Sequence, residues 1–216
     1  MSIIRTDPSF EDKRHWYDGW LYATFYDPFE KRKRDLISRY IEPGSTVLDV
    51  ACGTGALAFS LADRCEKVVG VELSRTMVRF AGARQRDSGP DNVEFVHGDA
   101  TCLDKVVVER FDYATMALGL HEMPETVRID ALRSMAEMAD TLVLADFLAP
   151  QPFNLRGGLN TLMEFFIGGP KNFVFYREYI CGGGLDGLLE RAGLAADASA
   201  VEHESACMVV RVPVRR

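Results

Sequence analysis

Three carboxylates stand where a nucleoside could be held: Asp49 in V-L-D-V-A-C-G-T-G, Glu72 in V-V-G-V-E-L-S and Asp99 in E-F-V-H-G-D-A. Each closes a short apolar run of strand-like composition, so the acids are expected at the ends of three successive parallel strands. Gly53-Thr54-Gly55, followed by Ala56-Leu57-Ala58, adds a glycine turn that opens a helix. Backbone N–H groups and a helix N-terminus then face a ligand at the carboxyl edge of the sheet. The glycines are needed because a Cβ would block both the turn and the ligand's approach. Alone, G-T-G-A-L-A also satisfies the G-x-G-x-x-A fingerprint of NAD enzymes. Asp49 argues otherwise, since a buried carboxylate before the loop needs donors, and the loop amides with a ligand ammonium would supply them. The competing reading makes Asp49 a structural staple of the loop. Glu72 is placed to accept both hydroxyls of a ribose, and Asp99 to accept from an adenine amino group. Together the three acids suit a nucleoside with a cationic amino-acid tail better than a pyrophosphate.

A second group with chemical capacity is His121, in A-L-G-L-H-E-M-P. Imidazole titrates near neutrality and could act as a base for a nucleophile with a proton to lose. The alternative is a histidine that caps the helix after Pro124 or lines a pocket, with Glu122 either orienting it or solvated. No catalytic metal is expected: H-E-M-P-E is not H-E-x-x-H, His15, His97 and His203 share no ligand spacing, and the five cysteines contain no C-x-x-C pair.

The elements that must position these groups follow a βα rhythm from Thr46 to Leu148. Strands are expected at Thr46–Val50, Lys67–Val71, Val93–Val96, Phe111–Met116 and Thr141–Phe147. Helices are expected at Ala56–Ala62, Arg75–Arg84 behind a Ser74 cap, a short one near Leu103–Val108, and Glu125–Ala139. After Leu148, the punctuation of Pro150, Pro152, Gly157-Gly158, Gly168-Gly169-Pro170 and Gly182-Gly183-Gly184 predicts loops and short helices over one end of the sheet. A helix at Leu185–Ala192 stopped by Gly193 precedes closing strands near Ala198–His203 and Ala206–Val212. The fold class is α/β: a doubly wound, Rossmann-like, mainly parallel sheet with a C-terminal antiparallel hairpin. It is read as one domain with N-terminal helices over 1–44, a ligand-binding core over 45–148, a helical insertion over 149–184, and a helix and hairpin over 185–216.

With 216 residues, 47% apolar and 26% charged, the chain suits one globular domain. A net charge of −7 disfavours nucleic acid, which needs a dense field of Lys and Arg. The basic run Lys31–Arg34 reads as a solvated helix face. Unpaired cysteine usage, the lack of a signal-peptide pattern and the lack of a membrane-spanning run point to a cytoplasmic protein, monomer or homodimer, without an integral membrane segment. Sixteen of the 22 aromatic residues lie in residues 1–40 and 151–180. These segments are expected to roof a pocket for a small, apolar or aromatic molecule, although any one ring could equally fix an accessory helix to the core.

V-L-D-V-A-C-G-T-G, G-V-E-L-S, G-D-A and F-D-Y-A-T-M-A-L-G-L-H-E-M-P resemble, in order and spacing, the motifs of class I S-adenosylmethionine-dependent methyltransferases. The likeness covers roughly residues 40–148. Tyr17-Asp18 and Tyr26-Asp27 are similar to the N-terminal pattern of the quinone C-methyltransferases of ubiquinone and menaquinone synthesis. The resemblance implies S-adenosyl-L-methionine as cofactor and a small-molecule methyl acceptor. It places Asp49, Gly53 and Gly55 on the methionine moiety, Glu72 on the ribose, and Asp99 with Ala100 on the adenine. Ala51, Thr54, Leu73, Met77, Met116 and Ala117 complete the lining, with Tyr17 and Tyr26 above it. It also implies that the loop after the fourth strand, with His121, faces the transferable methyl group. The quinone enzymes commonly read F-G-L-R-N there, and this chain reads L-G-L-H-E. Two other readings compete: an NAD(P)-dependent oxidoreductase, which predicts six parallel strands, and a non-catalytic S-adenosylmethionine-binding protein.

Overall fold

The computed structural model describes residues 19–25, 27–153, 155–167, 169–197, 201–204 and 206–214. Five strands, β1 (Thr46–Val50), β2 (Lys67–Glu72), β3 (Val93–His97), β4 (Phe111–Ala117) and β5 (Ala139–Phe147), are parallel. Two more, β6 (Val201–Glu204) and β7 (Cys207–Pro213), form an antiparallel pair, with β7 bonded along β5 from Thr141↔Pro213 to Phe147↔Cys207. The sheet order is β3-β2-β1-β4-β5-β7-β6. This is the fold class expected, and the closing hairpin distinguishes it from a six-stranded parallel dehydrogenase sheet. Strand direction of connection reverses between β1 and β4, so a crevice opens outside the carboxyl ends of those strands.

Strands near-continuous in Val and Leu are buried on both faces, as parallel strands covered by helices must be. On one side, α5 (Glu125–Met138) and α8 (Gly184–Ala192) pack Leu132, Met135, Leu185 and Leu188 against Leu142, Leu144 and Val210. On the other, α2 (Lys31–Arg39) and α3 (Ala56–Leu61) pack Ile37, Leu57 and Leu61 against Val47, Val68 and Val143. The helix α4 (Arg75–Ser88) begins where expected, with the Ser74 hydroxyl accepting from the Met77 N–H. α8 ends on Gly193 at φ 74°.

Two expectations are corrected. The segment near Leu103–Val108 is not an α-helix but part of a 3-10 stretch over Ala100–Lys105, capped by Asp99. The glycine-rich stretch after Leu148 forms two helices of 13 residues each, α6 (Leu155–Ile167) and α7 (Gly169–Cys181), rather than loops and short helices. Gly157 serves close approach there, because a Cβ on it would meet the Pro152 carbonyl. Within α2, Lys33 is turned inward and pairs with Glu30 at 2.6 Å, so the basic run is only partly a solvated face. The short helix α1 (Gly19–Phe25) lies against α4, where Gly19 abuts Phe80. Among the described residues, no helix is long and apolar enough to cross a membrane.

Gly70 in β2 is a sensitive point of the core: a Cβ there would stand 2.6 Å from Phe95 and 2.8 Å from the Cys52 sulfur. Gly70→Ala is expected to cost about 1–3 kcal/mol by overpacking. Urea unfolding should show the midpoint lowered with an unchanged slope.

Candidate functional site

The carboxyl ends of β3, β2 and β1 lie side by side and present Asp99, Glu72 and Asp49 along one edge. Asp49 is buried at 2% exposure; its Oδ1 accepts from the Thr115 hydroxyl at 2.9 Å, and its Oδ2 is buried with no hydrogen-bond donor among the described residues. Burial drives its carboxyl up to about 7, opposed by the Thr115 hydroxyl and the Ala58 amide, while the negative charge of Glu72 adds to the rise. Glu72 accepts the Gly53 N–H at 3.0 Å and the Ser74 N–H at 2.7 Å, so it braces the glycine turn from the neighbouring strand. Burial raises its carboxyl as well, against the pull of those two amides. Asp99 accepts from the N–H and the hydroxyl of Thr101, which begins the 3-10 stretch with Ala100 half-buried beside it.

The turn between β1 and α3 holds Ala51 at φ 56°, Gly53 at φ 54° and Gly55 at φ 77°. A Cβ on Gly53 would project into open space, and one on Gly55 would strike Phe95 at 2.4 Å. Gly53 therefore leaves the loop's outer surface bare, while Gly55 lets the helix settle on the core. Thr54, buried, donates its hydroxyl to Asp27 at 2.7 Å, tying the N-terminal segment to the turn. Leu73 offers its carbonyl to His97 Nε2 at 2.9 Å, and Met77 is buried at the head of α4. Met116 belongs to the core beneath the turn, and Ala117 is half-buried at the end of β4.

The loop after β4 is a 3-10 segment, Leu120–Glu122, and its histidine is 3% exposed. His121 Nδ1 lies 2.7 Å from Asp146 Oδ1, and its Nε2 lies 3.6 Å from Glu164 of α6. Asp146, fully buried in β5, also accepts the N–H groups of Leu120, His121 and Phe147. Burial by itself would lower the imidazole; the charge and hydrogen bond of Asp146, with the charges of Glu164 and Glu122, outweigh it and raise the group to about 9. Phe147, Tyr176 and Tyr179 meet the ring edge-on, at centroid distances of 4.7, 6.2 and 6.5 Å. Arg128, 1% exposed, donates Nε to the Leu120 carbonyl and Nη2 to the Phe175 carbonyl, joining the loop to α7.

A profile described as a methyltransferase domain matches residues 47–141, the span that contains all three acids. The demethylmenaquinone methyltransferase of Bacillus subtilis is 27% identical over 182 residues, covering 78% of this chain and 77% of the relative. That of Oceanobacillus iheyensis is 30% identical over 124 residues, covering 56% and 52%. Over the span that carries its three acids the chain is similar to these methyltransferases, and it resembles the class I S-adenosylmethionine-dependent family.

The chain spans about half the length of the first curated relatives it matches. Its fold is shared with an N-methyltransferase of Bradyrhizobium japonicum solved with S-adenosyl-L-homocysteine, at TM-score 0.66 and 16% identity over 97% of this chain and all of the other. A methyltransferase of Aquifex aeolicus aligns at TM-score 0.59 and 21% identity, covering 98% and 100%.

Of the residues singled out in the sequence, Asp49 through Ala117 gather on one edge of the sheet, with His121 just beyond. Tyr17 and Tyr26 lie outside the described residues. The acid that orients His121 is Asp146, not its neighbour Glu122. Asp146, Arg128 and Glu164 were not anticipated; the one sequence signal for Asp146 is a lone acid near the end of the apolar strand T-L-V-L-A-D-F. Among the described residues no group of three or more His, Cys, Asp or Glu could hold a metal ion.

The His121–Asp146 pair carries a pH signature. Because the folded-state pKa is raised, its stabilisation is fully present below about pH 6.5, the unfolded value, and is lost as pH climbs through about 9. His121→Gln should remove that alkaline loss. At pH 6 it should lower stability by about 3–5 kcal/mol, because Asp146 is left buried without its cation. Denaturant unfolding of both proteins between pH 6 and 10 measures the difference.

Proposed function

We propose that this chain binds S-adenosyl-L-methionine at the ends of β1, β2 and β3 and transfers its methyl group to a small, apolar or aromatic acceptor. The observation that carries the reading is the unpartnered, buried Oδ2 of Asp49 beside a glycine turn whose outer face is bare. A buried carboxylate oxygen without a donor is costly unless a ligand supplies one, and the ammonium of the cofactor's amino-acid tail is suited to do so. Glu72 would accept from the ribose hydroxyls, and Asp99 with Ala100 would meet the adenine. Ala51, Gly53, Thr54 and Gly55 would border the tail, Leu73 and Met77 the nucleoside, and Met116 and Ala117 the reacting end. The cofactor supplies an activated methyl on a good leaving group, so alignment by the protein can account for most of the acceleration.

His121 is proposed as the polar wall on the acceptor side. With Nδ1 held by Asp146, Nε2 faces Glu164 at 3.6 Å, and at neutral pH it carries a proton that an acceptor oxygen between the two could share. It therefore donates to an acceptor oxygen near neutrality and can take a proton only at alkaline pH. The demethylmenaquinone methyltransferases among the relatives, and a magnesium protoporphyrin IX methyltransferase of Synechocystis with the same fold (TM-score 0.54, 16% identity over 99% of this chain and 90% of the other), are named for large planar molecules. The ring-lined region of α6 and α7 supports an acceptor of that kind here. The protein is proposed to act in the cytoplasm on a small molecule rather than on nucleic acid.

Isothermal titration should show S-adenosylhomocysteine binding that strengthens as pH rises through about 7, where Asp49 loses its proton and can pair with the ammonium. Asp49→Asn should abolish that pH dependence. Glu72→Ala combined with Asp99→Ala should weaken binding by about 10²-fold or more, through the loss of hydrogen bonds to charged acceptors. Preference for NADH, or undiminished affinity in the double variant, would overturn the cofactor assignment.

A further inference from the structure

The buried polar groups around the His121 loop are committed to one another, with one exception. Asp146 accepts four hydrogen bonds, and Arg128 bridges two carbonyls. Asn172, in α7, is 2% exposed, and neither its Oδ1 nor its Nδ2 has a hydrogen-bond partner among the described residues. A carboxamide stripped of water on both ends is destabilising, and native folds keep very few such groups.

Its place in the fold indicates what it serves. Asn172 shares the buried face of α7 with Tyr176 and Tyr179, one turn before Tyr176, and α7 packs along the 3-10 loop that carries His121. Phe173, the next residue, stacks on Tyr176 at 6.1 Å and meets Phe165 of α6 edge-on at 5.2 Å. An unsatisfied amide therefore stands at the edge of an aromatic cluster whose other end is the His121 ring.

We propose that Asn172 is the recognition residue of the acceptor pocket: its carboxamide, one helical turn before Tyr176 on the buried face of α7, hydrogen-bonds a hydroxyl or carbonyl oxygen on a planar aromatic acceptor. This rests on the methyl-transfer reading of the site. A carboxamide has no net charge and matches a neutral group, with Nδ2 donating to an acceptor oxygen and Oδ1 accepting from a hydroxyl. An ammonium or carboxylate on the acceptor would need a counter-charge that Asn172 does not supply. The rings provide faces and edges for the acceptor's own ring. Specificity from such a site is strong, since an analogue lacking the oxygen leaves the buried amide unpaired.

The test compares wild type with Asn172→Leu and Asn172→Met, using 2-naphthol and naphthalene as probes, with and without S-adenosylhomocysteine. Wild type is expected to bind 2-naphthol more tightly than naphthalene. Both variants should lose about ten-fold in 2-naphthol affinity, one neutral hydrogen bond, and nothing for naphthalene. Their affinity for S-adenosylhomocysteine should be unchanged, and their thermal midpoints without ligand should rise because the orphaned amide is gone. Equal 2-naphthol affinity in variants and wild type, no discrimination by wild type between the two probes, or lowered midpoints in both variants would each overturn the proposal. Failure of S-adenosylhomocysteine to bind wild type would count against the cofactor reading instead, and the arm without it still decides the role of Asn172.

Discussion

The carboxylate of Asp146 is the interaction on which the His121 side of this molecule depends. It is fully buried at the end of β5 and takes two backbone N–H groups from the loop after β4, one from its own strand, and the imidazole of His121. A charge in that position is tolerable only if nearly every lone pair is used, so the loop has one conformation. Leu118 at φ 54° and its N–H bond to the Ala145 carbonyl extend the same tie along the strand pair. The Arg128 guanidinium then carries the order outward to α7, and the Tyr179 hydroxyl returns it to the Phe147 carbonyl. Two helices with little sheet contact of their own are thereby registered against the carboxyl edge of the sheet.

The edge that carries the three acids is organised on a different principle. There the strands do the positioning: because β1, β2 and β3 are adjacent and in parallel register, an acid at the end of each stands beside the others with no loop needing to fold toward it. Glu72 is spent partly on bracing Gly53 and Ser74, whereas Asp49 retains a bare oxygen. Rigid support on one side and an open valence on the other is how a preformed site differs from a merely packed one.

This contrast explains what could be read from the sequence. The apolar runs around Leu48, Val69, Ala114 and Leu142 give strands whose ends differ from expectation by a residue or two, because both faces are buried and the pattern admits little else. Asp49, Glu72 and Asp99 were legible for the same reason, each being tied to a strand end. His121 was legible as a chemical group but not as a charged one, since its partner lies 25 residues away and becomes a neighbour only through the β4–β5 pairing. The helices α6 and α7 were obscured by glycines that local rules count as breakers, although Gly157 serves close packing and Gly158 simply faces open space. No periodicity announces Asn172: its burial is a property of how α7 lies, not of the letters around it.

The acids at the strand ends also bear on what leaves the site. Under the proposed reaction the cofactor arrives with a sulfonium and departs as a neutral thioether, while Asp49, Glu72, Asp99 and Glu164 stay where they are. An edge built from carboxylates attracts the incoming charge and loses that attraction once the methyl has moved. Under that reaction the electrostatics that would gather the donor would hold the spent molecule less tightly.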